Sequence, residues 1–294
     1  MAVCEAALFP EFRPPAEADA VVVGVTSGCS HNACAFCGMY RRRSYHARTL
    51  EEFRAHLARA RQLFPASATR VFLGDGDAMA VDAEHLLACM AAAREFFPNV
   101  RRFGIYARAE GILAKSDSDL QRLAAAGLRV AYLGLESGDA EVLQRVGKGC
   151  TVGEMIAAVH RAQAAGIKMS VMALVGLAGR EGTARHADAT AMALNEMNPR
   201  FINLLTYIPV PDTPLWHDIR SGRLTALDDR EALMEICRIV AGLECCGSLF
   251  RADHASNPLP LAGNLPRDKQ SILTMLQATL AGRLALRPRW LRGL

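Results

Sequence analysis

About six times between residues 21 and 208, a short apolar or β-branched run gives way to a helical pattern. The runs are Val21–Thr26, Arg70–Leu73, Arg101–Ala107, Leu128–Leu135, Lys168–Val175 and Phe201–Ile208. Parallel strands cannot be joined by tight turns and need crossover connections, so this alternation predicts a parallel sheet with helices outside it. The helix signals agree. Thr49 offers an N-cap ahead of Glu51 and Glu52 for a helix to about Leu63. Asp82 to Phe97 is amphipathic and stops at Pro98, and Ser116 opens a helix that ends at Gly127. Helical segments run to Ala165 with Gly166 as cap, and another spans about Thr183 to Met197. The expected fold class is α/β, a partial (β/α)6 TIM-type barrel over residues 1–215. Residues 216–294 form a helical C-terminal extension packed on it, with helices near Asp228–Glu244 and Arg267–Ala281. A doubly wound sheet is the runner-up.

In either architecture, chemistry collects on the loops at the C-terminal strand ends. The loop after the first strand reads Cys29-Ser-His-Asn-Ala-Cys34-Ala-Phe-Cys37. Three cysteines this close, with no export signal ahead of them, indicate a metal site rather than disulfides. A structural zinc would want a fourth ligand. A 4Fe–4S cluster on three cysteines leaves one iron open to a reactant. Zinc and three unrelated thiols are the bland alternatives, and His31 reads as a loop hydrogen bonder. The other cysteines, Cys4, Cys89, Cys150, Cys237, Cys245 and Cys246, form no second C-x2-C pair and read as buried or incidental thiols. The formal charge of +4 demands neither nucleic acid nor a membrane. No apolar run is long enough to span a bilayer. The opening Met1–Pro15 is acidic and broken by prolines, unlike a signal peptide, so a cytoplasmic location is expected.

The cysteine loop resembles that of the radical SAM superfamily, whose hallmark is C-x3-C-x2-C with an aromatic before the third cysteine. Here the spacing is C-x4-C-x2-C, and Phe36 is the aromatic. The chain looks closest to small iron–sulfur oxidoreductases related to elongator-like and oxygen-independent coproporphyrinogen oxidase-type members. The resemblance implies that Cys29, Cys34 and Cys37 hold a 4Fe–4S cluster and that S-adenosylmethionine is the second cofactor. It places Asp75, Gly76 and Asp77 at the turn that holds the methionine amino group, and Tyr106 and Arg108 near the cofactor. Glu136 and Ser137 resemble the signature that bonds the ribose hydroxyls. Gly176 and Tyr207 lie in segments similar to those lining adenine. Related enzymes often carry an arginine on the fourth helix for the methionine carboxylate; this chain has Gln163 there, with Arg161 two residues before.

The implied chemistry is one-electron cleavage of the sulfonium, giving methionine and a 5′-deoxyadenosyl radical that takes hydrogen from an organic substrate of small or medium size. The partner would be an electron donor such as flavodoxin or ferredoxin. The basic run Arg41–Arg43 raises two alternatives, an anionic substrate or an RNA-modifying enzyme. A non-enzymatic metal-binding module is the competing class. Outside the barrel, Asp253, His254 and Asn257 are candidate catalytic or substrate residues, since a histidine between them could move a proton.

Overall fold

The computed structural model describes residues 12–292. The reading of Cys4, and most of that of the opening Met1–Pro15, lies outside them. The elements in chain order are β1 (Val21–Gly24), β2 (Thr26–Ser27), β3 (His46–Ala47), α1 (Leu50–Leu63), β4 (Arg70–Gly74), α2 (Ala83–Phe96) and β5 (Arg102–Ala107). There follow α3 (Ala109–Leu113), α4 (Asp117–Ala125), β6 (Leu128–Glu136), α5 (Ala140–Arg145), α6 (Val152–Ala164), β7 (Lys168–Val175) and α7 (Gly179–Met197). The rest are β8 (Phe201–Thr206), α8 (Pro214–Arg220), α9 (Asp229–Gly242), β9 (Leu249–Arg251), β10 (Ala262–Asn264) and α10 (Lys269–Leu280).

The capping signals in the sequence become contacts. Thr49 accepts the Glu52 amide while Glu52 accepts the Thr49 amide, and Ser116 with Asp119 and Asp228 with Glu231 repeat that box. Asp82 accepts the His85 amide at the start of α2. Such caps are each worth about 1 kcal/mol, so they fix where a helix begins. Where no cap exists the reading slips. Helix α7 starts at Gly179 rather than Thr183, because its N-cap is Ala178, which makes no capping bond. Helix α3 likewise lacks a side-chain cap, and the short α8, capped by Thr213, was not expected from the sequence. Strands β9 and β10 have three residues each, too few for alternation to show. The extension is therefore not only helical.

One sheet has the order β1-β4-β5-β6-β7-β8-β9-β10. Successive strands are neighbours, as in a TIM-type barrel; a doubly wound sheet would reverse its order part way. The six expected strands are β1, β4, β5, β6, β7 and β8.

The chain divides into two compact units. The first comprises residues up to Asn32, Met39–Leu133 and Ala157–Met169. In it β1, β4, β5 and β6 pair in parallel. Helix α1 packs on β1 and α2, and α2 on α4. A fully buried Glu17 accepts from Arg102 at 2.5 Å and from the Tyr132 hydroxyl at 2.6 Å, which pins the segment before β1. The second unit comprises Ala33–Gly38, Gly134–Ile156 and the chain from Ser170 on. In it β7, β8 and β9 are associated through parallel pairs, with β10 antiparallel on β9. Helix α7 packs on α9, and α9 on α10. Among the described residues, no helix is long and apolar enough to cross a membrane.

Candidate cofactor site

In the first unit the acidic turn follows β4, at a C-terminal strand end. Gly76 allows a close approach: a Cβ there would lie 2.9 Å from the Gly28 carbonyl and 2.6 Å from the Tyr40 ring. The turn thus sits directly against the residue that precedes Cys29. Asp77 is buried and well held. Its Oδ2 accepts from the Ser30 hydroxyl at 2.5 Å, and its Oδ1 accepts the Arg108 amide at 3.3 Å. The Arg108 guanidinium lies 4.0 Å from Oδ2 and also bonds Glu110. Burial raises the Asp77 pKa, with Ser30 and Arg108 opposing it. Burial also works against the Arg108 charge, but Glu110, Asp77 and Cys29 outweigh it and hold the pKa up. Cys29 thus shares a neighbourhood with Asp77 and Arg108. Asp75 turns another way, to Arg43 at 3.9 Å, and burial raises its pKa against Tyr40, Arg43 and Arg48. Tyr106 packs edge-on to Phe72 and Tyr132, with its phenol pKa raised by burial and by Asp75 and Glu17.

Lys115, which the sequence reading passed over, supports this turn from behind. It is buried, and its ammonium donates to the carbonyls of Met79, Val81 and Gly111 at 2.6, 2.9 and 2.9 Å. Burial lowers its pKa to about 8, with Asp77 among the charges that oppose the drop.

In the second unit, Cys34 and Cys37 bracket one turn closed by a 3.2 Å bond from the Cys37 amide to the Cys34 carbonyl. Ala35 between them is fixed on both sides: its amide donates to Val146 and its carbonyl accepts from Leu215. Phe36 and Tyr207 pack together on a small core of Val142, Val146, Leu177, Ala178, Leu215 and Leu224. Glu136 ends β6 at φ 63°, in the left-handed region that a glutamate seldom occupies. Its carboxylate lies 2.9 Å from the Lys148 ammonium, and both side chains are largely buried. Gly134 leaves room for this pair, because a Cβ there would meet Glu136 Oε1 and Lys148 Nζ where they now lie. Burial disfavours the Lys148 charge, yet Glu136, Cys34 and Cys150 together raise its pKa. Lys148 is the main site residue the sequence reading missed. Its signal was a lysine flanked by Gly147 and Gly149, in the loop after α5, and both glycines take a positive φ in the structure.

Ser137 and Gly176 are engaged within the protein. The fully buried Ser137 hydroxyl is 2.8 Å from His186 Nδ1 and accepts the Asp139 amide at 2.9 Å. The Gly176 amide donates to Glu235 at 2.8 Å. Arg161 is spent on Asp117 and on the carbonyls of Leu113 and Lys115. Farther along, Asn257 is fully buried, accepting from the Thr206 amide and hydroxyl and donating to the Leu204 carbonyl, so it clamps the end of β8. Asp253 is exposed and pairs with Arg251, and His254 bonds Ser256.

By their chemistry, three cysteine thiols suit an iron–sulfur cluster. Cys29, Cys34 and Cys37 are half-buried thiols outside any disulfide. Among the described residues, no group of three His, Cys, Asp or Glu side chains is arranged for a single metal ion.

The fold recurs in solved structures. The radical S-adenosylmethionine methyltransferase TsrM from Kitasatospora setae, whose structure holds cobalamin and a [4Fe–4S] cluster, matches with a TM-score of 0.53 at 18% identity. The match covers 68% of this chain and 39% of that one. The Methanocaldococcus infernus Elp3 matches at 0.54 and 14% identity, over 80% of this chain and 60% of that one. Methylornithine synthase PylB matches at 0.53 and 16%, over 90% and 81%. This chain thus spans about two-fifths of TsrM, and these likenesses are of fold. No curated protein matches it. The model of the Radical SAM superfamily matches residues 23–182, more than half the chain, and includes the cysteine loop, the acidic turn and Glu136. The chain belongs to the radical SAM superfamily, and a 4Fe–4S cluster and S-adenosylmethionine are the cofactors that membership entails.

Proposed function

We propose that this chain is a cytoplasmic radical SAM enzyme in which Cys29, Cys34 and Cys37 hold the cluster and the strand-end turns hold S-adenosylmethionine. When bound, the cofactor pair supplies one-electron cleavage of the sulfonium and removal of a hydrogen atom from an organic substrate. The chain's own residues bind and orient. Asp77, fixed from two sides by Ser30 and Arg108, offers a carboxylate to the methionine amino group. Lys148 supplies the buried positive charge that a methionine carboxylate needs, next to Cys34, and takes the part that Arg161 is not free to play. It also aims Glu136, whose carboxylate can accept from both ribose hydroxyls. Phe36, Tyr207 and the small core around them form an apolar wall that keeps water off the nucleoside. An electron donor such as flavodoxin or ferredoxin completes the cycle. The basic run favours RNA less than its sequence suggests, since Arg43 turns to Asp75.

The observation that carries this reading is the buried Glu136–Lys148 pair beside Cys34, inside the segment that matches the superfamily. Anaerobic reconstitution tests it. Brown protein with about four irons per chain should form 5′-deoxyadenosine from S-adenosylmethionine and a reductant, and Cys34→Ala should lose both iron and product. A colourless zinc protein, or a C34A variant that still makes 5′-deoxyadenosine, would overturn it.

A further inference from the structure

Behind the turns that end β6 and β7 runs a buried polar chain that the cofactor roles above do not use. The Asp139 amide donates to Ser137 Oγ, so the Ser137 hydroxyl proton is directed to His186 Nδ1 at 2.8 Å. That leaves the imidazole proton on Nε2, which is buried 3.4 Å from Glu235 Oε1 in an electrostatic contact longer than a made hydrogen bond. The same Oε1 accepts the Gly176 amide at 2.8 Å, and Glu235 Oε2 accepts the Thr183 hydroxyl. Two donors, the Gly176 amide and the Thr183 hydroxyl, end on this carboxylate, and the His186 ring lies between it and Ser137. His186 and Glu235 are both fully buried side chains, on α7 and α9, and the chain ties the turn at Ser137 to the turn at Gly176. Approach at the first turn is closest at Gly138, where a Cβ would collide with the Ala189 carbonyl of α7 and where the amide donates to Thr190.

We propose that Glu235 and His186 are positioning residues for S-adenosylmethionine: the Glu235 carboxylate locks the Ser137 and Gly176 turns into one geometry, and through Ser137 it sets Glu136. This role rests on the reading above that Glu136 and the Gly176 turn contact the cofactor. The carboxylate can act as the all-acceptor end of the chain only when ionised. Burial pushes its pKa up to about 7, against the bonds from Thr183 and Gly176. Burial pushes His186 down to about 4, against the Leu174 carbonyl and the Asp139 charge, while Arg145 adds to the drop. Near neutrality, then, Glu235 changes charge and His186 does not. Protonation would put a donor where the Gly176 amide and the Thr183 hydroxyl already donate and would remove the charge beside His186, and both turns should loosen together.

The test uses the reconstituted holoenzyme, its Glu235→Gln variant and a milder Thr183→Val variant. Three quantities are read at pH 6 and pH 8: hydrogen exchange of peptides covering residues 134–140 and 174–180, corrected for intrinsic rates; the Kd for S-adenosylmethionine; and iron content. At pH 8, E235Q should exchange faster in both peptides and bind S-adenosylmethionine at least tenfold more weakly, with iron unchanged. At pH 6 the wild type should approach the variant, because its carboxylate is then protonated. The titration of S-adenosylmethionine itself is common to both proteins and cancels. T183V, which removes one donor, should shift the wild-type change to higher pH. Exchange that rises in only one peptide, or in neither, would overturn the coupling. Coupled exchange with an unchanged Kd would overturn the positioning role. A wild type with coupled turns that binds no S-adenosylmethionine would overturn the reading of the site, and this role with it.

Discussion

Two buried ions stand behind strand-end turns, one in each compact unit, and they work in opposite senses. Lys115 stands behind the acidic turn and donates to three backbone carbonyls. Glu235 stands behind the Gly176 turn and accepts from a backbone amide and a hydroxyl, with an imidazole at a longer distance. Each costs desolvation, and each holds backbone groups that follow a strand end. The difference lies in completeness. The three ammonium protons of Lys115 have three acceptors, and its pKa of about 8 leaves it charged at neutral pH. Glu235 lacks one close donor and sits near 7. One turn is fixed at physiological pH, and the other responds to it.

The comparison breaks most directly at Lys115. Lys115→Met keeps the length of the side chain but leaves three carbonyls without their donor, and each unsatisfied buried group costs about 1–3 kcal/mol. We expect K115M to lose about 3 kcal/mol or more in urea denaturation; a loss under about 1 kcal/mol would show that the turn does not depend on it. Next is Lys148→Gln, which leaves Glu136 as a buried carboxylate without its partner. It should weaken S-adenosylmethionine binding about a hundredfold, in line with loss of a charge-assisted bond of ~1.5–3 kcal/mol, as measured by equilibrium dialysis; Lys148→Arg should restore much of it. Asp77→Asn should cost about tenfold in the same measurement, because the Asn keeps one acceptor oxygen.

Glu235 gives a smaller effect of opposite sign. Its pKa in the folded protein is about 7 against an ordinary 4.5. Between those values the native state holds a proton that the unfolded chain has lost, so this group's contribution to stability falls as pH rises through that window and is flat above it. E235Q should therefore melt about 2–4 °C above the wild type at pH 8, with the gap closing near pH 5. A variant that melts lower at pH 8 would mean that the bonds to Gly176 and Thr183 outweigh the burial of charge. The least effect is expected at His254→Ala, within about twofold in 5′-deoxyadenosine formation, because His254 serves only its own loop through Ser256.

The barrel was readable because its signals are local. Thr49, Asp82, Ser116 and Asp228 announce helices through bonds made within one turn. Cys34 and Cys37 declare themselves by spacing. What the sequence hides is which long side chain reaches back across the fold. Lys115 bonds Met79 and Val81 from more than thirty positions away, and Glu235 meets Gly176 from nearly sixty. No periodicity encodes such pairs. Arg161, near the place where related enzymes often carry an arginine, has its guanidinium taken up by two carbonyls and Asp117. Ser137 was legible as a polar group at a strand end, but that its hydroxyl turns inward to His186 depends on α7 passing close enough for Gly138 to be required.

Glu136 adopts a backbone twist that L-residues with a side chain enter at a cost of about 1 kcal/mol. Glycine would relieve that backbone cost, but Glu136→Gly would also take the carboxylate from the buried Lys148 ammonium, so it should lower stability as well as the grip on the nucleoside. The torsion is the means by which the end of a strand, whose side chains otherwise alternate between two faces, turns one carboxylate out of that alternation and back over its own chain.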